Sequence, residues 1–355
     1  MLQNNPFSSI IQLIKQSRAN ALRVVNAELI NLYWNVGAYI VSQLANSNWG
    51  EKTVEELALF IENNHSELKG FNKRGLYRMK QFYETYSLSP IVSLPMTQLQ
   101  NNDKQEVLIV SSAMTQLEIS NIRGSILTKL SWTHHLILMS RAKSIEERLF
   151  YLQLSIDENY SVKELERQIN ASAFERTIMG NVQLSPKIKE IHPTVVNNFK
   201  DSYVFEFLNL PQNHTESDLQ QGLISQMKNA ILELGKDFLF VQQEYKLQVG
   251  NTDFYIDLLF YHRKLQCLVA FELKADKFKP EHLGQLNFYL EALDRDVKNE
   301  NENPSIGILL CKDKDNEVVE YALSRSLSPT LVAQYKTLLP NKEVLQQKLH
   351  ELLNN

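Results

Sequence analysis

The chain of 355 residues is 43% hydrophobic and 22% charged, with a formal net charge of −4. That length leaves room for two domains of ordinary size, and the composition is that of a soluble globular protein. The charge excludes a blanket basic coat for nucleic acid but not a local basic groove. The absence of any run of about 18 apolar residues excludes a membrane-spanning segment and a membrane partner.

The amino-terminal stretch MLQNNPFSSI is polar and lacks the apolar core of a signal peptide. Residues 7–46 then carry helical periodicity: Ile10, Ile11 and Ile14, then Leu22, Val25, Leu29, Leu32, Val36 and Ile40, recur at steps of three and four. Asn26, Tyr33 and Trp34 interrupt this stripe, and Trp34 is expected in the core. A helix over residues 53–64, a turn around Gly70 and a second helix over 72–86 follow, with Asn72 as the N-cap. The second helix sets Leu76, Met79 and Tyr83 on an apolar face and Lys73, Arg74, Tyr77, Arg78 and Gln81 on the other. Helix, turn and basic helix read as a helix-turn-helix-like segment. Its Lys73, Arg74, Tyr77 and Arg78 suit contact with nucleic-acid phosphates, and a solvated face is the plainer alternative.

Residues 87–120 stand apart, with two prolines, a Met-Thr-Gln-Leu echo at 96–99 and 114–117, and a strand-like run at 106–111. They read as an insertion or long loop. From 125 to 179 the pattern is helical again, with capping signatures at Ser144-x-x-Glu147 and Ser161-x-x-Glu164. His134 and His135 are adjacent, so they do not face one site on a helix, and no third ligand is spaced to help; the pair reads as structural. Arg167 and Arg176 either face nucleic acid or cap carboxylates. Pro186 and Pro193 mark a boundary at 180–193, between a domain of residues 1–180 and a second of 195–355.

The second domain opens with a capping signal at Ser217-x-x-Gln220 and a helix that ends at Gly235. Glu233 lies in the last turn, where the helix dipole disfavours an anion, which points to a separate task. A strand pair candidate at 238–249 and a Gly250-Asn251 turn lead to the stretch TDFYIDLLFYHRKLQCLVAFELKADKFKPEHLGQLNFYL, which reads as strand, turn, strand, loop and helix. Cys267 and Cys311 lie in apolar strand-like runs and read as buried thiols, in keeping with a cytoplasmic location. A last strand over 305–311 and helices over 318–327 and 342–353 complete the chain.

Three charges interrupt the apolar strands: Asp257, Glu272 and Lys274. Glu272 and Lys274 share a face because side chains alternate along a strand. Two hairpin registers keep Asp257 on that face. One pairs it directly with Glu272 through a two-residue loop at Lys264-Leu265; the other pairs it with Ala270. Two carboxylates about 5 Å apart across strands are hard to keep ionised without a cation between them. Oxygen ligands of this kind suit Mg²⁺ or Mn²⁺, and a lysine two residues on suits a phosphate or a water.

Asp257 followed by Glu272-Leu273-Lys274 resembles the core of the PD-(D/E)XK nuclease superfamily, and Gln285 and Tyr289 match the QxxxY element of its RecB-like branch. The run from Val25 to Gly37, VNAELINLYWNVG, is similar to the VNxxLIxLYWxIG pattern of the bacterial YhcG-type family, and the resemblance extends over nearly the full length. It implies an α+β chain: an all-α N-terminal domain with the helix-turn-helix-like segment, then a restriction-endonuclease-like α/β domain. It also implies metal-dependent hydrolysis of nucleic-acid phosphodiesters, with DNA as the partner. Asp257 and Glu272 would bind Mg²⁺ with help from Glu233, which matches the acidic residue that the first helix supplies in such folds. Lys274 would serve the attacking water, and Gln285 and Tyr289 would position the substrate. The alternatives are a silent or partner-dependent nucleic-acid-binding protein with a nuclease fold, as a homo-oligomer or within a restriction or repair assembly.

Overall fold

The computed structural model describes residues 8–46, 50–87, 122–192 and 199–354. The chain divides into two compact units, 1–165 and 166–355. Except for Ser87, the insertion expected at 87–120 lies outside the described residues. No helix among them is long and apolar enough to cross a membrane.

The first unit is helical: α1 (Ser8–Ala45), α2 (Glu51–Asn64), α3 (Lys73–Tyr86), a 3-10 turn (Ile126–Lys129), α4 (Trp132–Arg141), α5 (Ile145–Asp157) and the start of α6 (Val162–Asn170). The apolar stripe expected on α1 is only partly its core face. Leu22, Val25, Leu29 and Leu32 are exposed, whereas Ile30, Trp34 and Ile40 are buried. Gly37 explains the choice of face, since a Cβ there would sit 2.2 Å from the Met79 carbonyl oxygen. The backbones of α1 and α3 therefore approach most closely along the Trp34 side, where Trp34 meets Phe82 edge-on at 5.8 Å. The buried row of α3 is Leu76, Met79, Phe82 and Tyr86, so Phe82 takes the place expected of Tyr83. Asn26, polar within an apolar stripe, donates to the carbonyls of Thr128 and Leu130 and so ties α1 to the 3-10 turn. His134 bonds Ser131 and the Tyr160 carbonyl, and His135 bonds the Leu127 carbonyl; both are structural.

The connection between α2 and α3 runs over residues 65–72, longer than the three or four residues of a helix-turn-helix. Asn72 caps α3 as expected, its side chain accepting from Gly75 N.

The second unit holds the rest of α6, α7 (Ala173–Met179), β1 (Gln183–Leu184), α8 (Pro186–Ile191), β2 (Ser202–Val204), α9 (Glu216–Ser225), α10 (Met227–Leu234), β3 (Phe238–Val249), β4 (Thr252–His262), β5 (Cys267–Lys277), α11 (His282–Asp296), β6 (Ile306–Asp313), α12 (Asn316–Leu323), β7 (Thr330–Lys336) and α13 (Lys342–Asn354). One mixed sheet runs β1-β7-β6-β5-β4-β3, with β2 also on β7. β3, β4 and β5 are antiparallel, whereas β5, β6 and β7 are parallel. One face packs Leu258, Phe260, Phe271 and Leu310 against Leu219 and Leu223 of α9. The other packs Ile256, Leu259, Ala270 and Leu309 against Leu286 and Leu290 of α11.

Two expectations change here. β6 is not the last strand, because β7 follows it. The helix expected between Ser217 and Gly235 is two helices that break at Gln226, and its cap is Thr215 with Asp218 rather than Ser217 with Gln220. The compact units part at Leu165, and Arg167 and Arg176 bond within the second unit at the carbonyls of Val204 and Ser202.

Candidate active site

The β4–β5 ladder pairs Leu258 with Phe271, Leu259 with Ala270 and His262 with Cys267. This is the first of the two expected registers, the one that sets Asp257 level with Glu272. The loop spans Arg263 to Gln266, four residues rather than two. Gln266 adopts a left-handed φ of 50°, and Asn303 ties the loop by donating to the Leu265 and Gln266 carbonyls.

The ladder stops at Leu258. Just before it, the alternation along β4 breaks, since Ile256 and Leu259 belong to one core and Leu258 and Phe260 to the other. On the facing strand Glu244 adopts φ 45°, between the pairs Gln243–Leu258 and Tyr245–Ile256. This irregularity accompanies a turn of the Asp257 carboxylate toward β5, where Oδ2 accepts the Leu273 backbone N–H at 2.7 Å. A side chain thus occupies a donor that would otherwise serve the sheet.

Glu272 is only 2% exposed. Its Oε1 accepts from Lys274 Nζ at 2.9 Å, and its Oε2 is buried with no hydrogen-bond partner. Burial first, and then the Asp257 charge, push the Glu272 carboxyl up to about 7, although Lys274 pulls the other way. Burial likewise raises Asp257, against the Leu273 N–H and Lys274, with Glu216 and Glu244 adding to the rise. Burial pulls the Lys274 pKa down, but its bond to Glu272 and the charges of Glu272, Glu216 and Asp257 together outweigh burial and raise it.

Lys274 also reaches Glu216 Oε2, at 3.3 Å. Glu216 is the first residue of α9, where the helix dipole favours an anion. Gln220, one turn on, donates to the Asp257 carbonyl at 2.9 Å. Glu216 is therefore an acid that α9 brings to this cluster, and the sequence reading missed it. The Thr215-x-x-Asp218 capping box, which fixes where α9 begins, was the available signal.

Glu233 is not at this site, and its expected role beside Asp257 and Glu272 is corrected. It is fully buried and meets Arg167 at 3.0 Å, Arg176 at 3.4 Å and Lys200 at 3.5 Å. The backbone N–H of Val204 donates to it as well. Burial alone would raise its pKa, but the three cations and that N–H outweigh burial and hold it at about 2. Arg167 and Arg176 thus cap a carboxylate, one of the two roles expected of them. The cations also answer the dipole anomaly that singled Glu233 out.

Gln285 and Tyr289 project together from α11, and Gln285 Nε2 donates to the Tyr289 hydroxyl at 2.6 Å. Burial raises the Tyr289 phenol, and the charges of Glu272, Asp257 and Lys274 all act on it, which brings this pair to the edge of the cluster. Lys73 and Arg74 are exposed and Tyr77 and Arg78 are half-buried on α3, in the other unit; Lys73 pairs with Glu55.

No group of three or more His, Cys, Asp or Glu side chains able to hold a metal ion occurs among the described residues. The pair Asp257 and Glu272 nevertheless fits a small hard cation. It offers only oxygens, one of them buried and unpartnered, and two carboxyls that crowd each other's charge. Mg²⁺ commonly takes one or two carboxylates, with water and substrate phosphate completing its shell.

The family model described as the YhcG PDDEXK nuclease domain matches residues 196–350, and that of the DUF1016 N-terminal domain matches residues 9–176. The chain is 29% identical to YhcG of Escherichia coli (strain K12) over 353 residues, covering 96% of this chain and 92% of the relative. Among solved structures it resembles a repair endonuclease from Pyrococcus abyssi, with 15% identity, 36% of this chain, 50% of that chain and a TM-score of 0.24. It also resembles EndoMS in a complex with double-stranded DNA, with 17% identity, 33% of this chain, 45% of that chain and a TM-score of 0.22. The two family models abut on either side of residues 177–195 and between them account for nearly the whole chain. In chain order the residues thus match a DUF1016 N-terminal domain followed by a YhcG PDDEXK nuclease domain, the two parts of the YhcG-type family.

Proposed function

We propose that this protein hydrolyses phosphodiester bonds of nucleic acid, with DNA as the substrate and Mg²⁺ or Mn²⁺ as the cofactor, in the cytoplasm. The observation that carries this reading is the buried, unpartnered Oε2 of Glu272, beside Asp257 and within a side chain's reach of a charged lysine. Asp257 and Glu272 hold the cation, which supplies Lewis acidity toward the phosphate and its attacking water. Lys274 is oriented by Glu272 and Glu216 and offsets the negative charge that develops on the phosphate. Gln285 and Tyr289 position the substrate backbone. Lys73, Arg74, Tyr77 and Arg78 on α3 contact phosphates elsewhere on the nucleic acid.

The test is cleavage of labelled duplex, branched and single-stranded DNA and of RNA, in Mg²⁺, Mn²⁺ and EDTA. Cleavage of any member that needs the cation and disappears in Asp257→Ala and Lys274→Ala supports the reading and identifies the substrate. Binding without cleavage of any member sinks it in favour of a silent or partner-dependent binding protein.

A further inference from the structure

Past the carboxyl ends of β6 and β7 opens a cleft of about 480 Å³. Gln212 and Asn213, from the loop ahead of α9, line it together with Lys312, Lys336, Leu338 and Leu339. The parallel ladders set Lys274 level with Cys311, and Cys311 level with Gln334. Lys312 and Lys336 therefore lie one and two residues beyond the row that carries Lys274. With strands about 4.8 Å apart and about 3.3 Å of rise per residue, the Lys336 backbone is roughly 12 Å from that of Lys274. The cleft and the candidate active site thus open at the same end of one sheet.

The two lysines that line this cleft, Lys312 and Lys336, form no ion pair with a described residue. Lys312 Nζ donates to the Gln212 carbonyl, which fixes the ammonium and leaves its charge intact. Lys336 is half-buried; its charged neighbours are Arg176, Lys348 and Asp201. Asp201 is already paired with Lys314. Arg176, almost fully buried, pairs with Glu233 through Nη1 and keeps Nη2 without a hydrogen-bond partner. Burial, and then the two neighbouring cations, lower the pKa of Lys336. A surplus of half-buried positive charge is unfavourable in the free protein and is relieved when an anion arrives. Amide side chains beside the lysines and an apolar rim at Leu338 and Leu339 suit a phosphodiester with its sugar, rather than a bare inorganic ion.

We propose that this cleft is a second phosphate subsite, which takes a backbone phosphate of the same nucleic-acid strand that lies across Asp257 and Glu272. The proposal rests on the nuclease reading of that site. At about 3.4 Å of rise per nucleotide, the two positions are a few nucleotides apart along one strand. The subsite reads no bases; it fixes the strand's path and register relative to the reacting phosphate.

The experiment measures binding rather than cleavage, so that the two readings fail separately. A fluorescein-labelled oligonucleotide, single-stranded and as a duplex, is titrated with the full chain in EDTA over a series of salt concentrations. Lys312→Gln/Lys336→Gln is expected to weaken binding about tenfold at low salt. It should also flatten the slope of log affinity against log salt by roughly one to two units, equally for unrelated sequences. Lys312→Arg/Lys336→Arg should restore both. Lys264→Gln, in the β4–β5 loop at the opposite end of the sheet, should change neither. Wild-type affinity and slope in the double glutamine variant overturn the subsite and leave the nuclease reading standing. Inorganic phosphate that displaces the oligonucleotide as effectively as an unlabelled strand overturns the assignment to a strand. A wild type that binds neither oligonucleotide overturns both readings. Lysine-dependent binding by a protein that never cleaves in Mg²⁺ supports the subsite and overturns only the hydrolase.

Discussion

Near pH 7 the Glu272 carboxyl sits close to its own midpoint, because burial and Asp257 push it up to about 7. In the unfolded chain the same group titrates near the ordinary value of 4.5. Below that value it is protonated in both states and costs the fold nothing. As pH rises through the folded value, the folded protein must carry a buried anion, so stability falls across the window from 4.5 to about 7. Glu272→Gln should therefore stabilise the protein in EDTA above pH 7, by about 1–3 kcal/mol in urea unfolding, while abolishing cleavage. A destabilised variant would mean that the Glu272–Lys274 bond outweighs the charge crowding. The same shift predicts that Mg²⁺ displaces a proton: its affinity should weaken up to tenfold per unit as pH falls below about 7, as read by calorimetry in buffers of different ionisation enthalpy. Glu216→Ala should lower kcat by about 10- to 100-fold with little change in fold, since it removes a group that orients Lys274 rather than a buried core contact.

At the scale of the element, α10 and its neighbours hold Glu233 in a closed ionic cluster. Its pKa is depressed from 4.5 to about 2, so its contribution is complete above 4.5 and is lost as pH falls toward 2. Glu233→Ala leaves Arg167, Arg176 and Lys200 facing one another in a buried setting, and should cost about 3–5 kcal/mol in unfolding at neutral pH. Mg²⁺ affinity should not move while the fold persists; a loss of affinity there would restore Glu233 to the metal site. The site's strands were legible in the sequence because Asp257, Glu272 and Lys274 are conspicuous in apolar runs and strand periodicity fixes their shared face. The Glu233 cluster was not, because its partners Arg167 and Arg176 stand some sixty residues away along the chain and no local pattern links them. Glu216 stayed hidden for a local reason: two capping signals overlap at 215–220, and hydrogen-bond geometry alone separates them. β7, a seven-residue run buried along most of its length, has the apolar brevity that periodicity cannot assign.

For the whole molecule, the Arg167 and Arg176 contacts decide where the second unit begins. A fragment starting at residue 160 keeps the Ser161 cap of α6 and both arginines, whereas one starting at 195 leaves Glu233 with Lys200 alone of its three cations. The longer fragment should resist proteolysis and unfold cooperatively, and the shorter one should do neither. Equal behaviour of the two would show that the ionic cluster is dispensable. The proline-bearing segment at 180–193, where sequence punctuation sets the boundary, carries β1, which adds to β7 within the sheet.

The bond from the Leu273 N–H to Asp257 has one more consequence. In most of a sheet, an amide proton reports on the neighbouring strand; this one reports on a side chain of the candidate active site. Its resonance should shift when the carboxylate takes up a proton or a cation, and its exchange with solvent should quicken in Asp257→Ala while the amides of Val269 and Phe271 stay slow. A single backbone proton would then serve as a built-in indicator of whether the site is loaded, readable in solution without substrate or turnover.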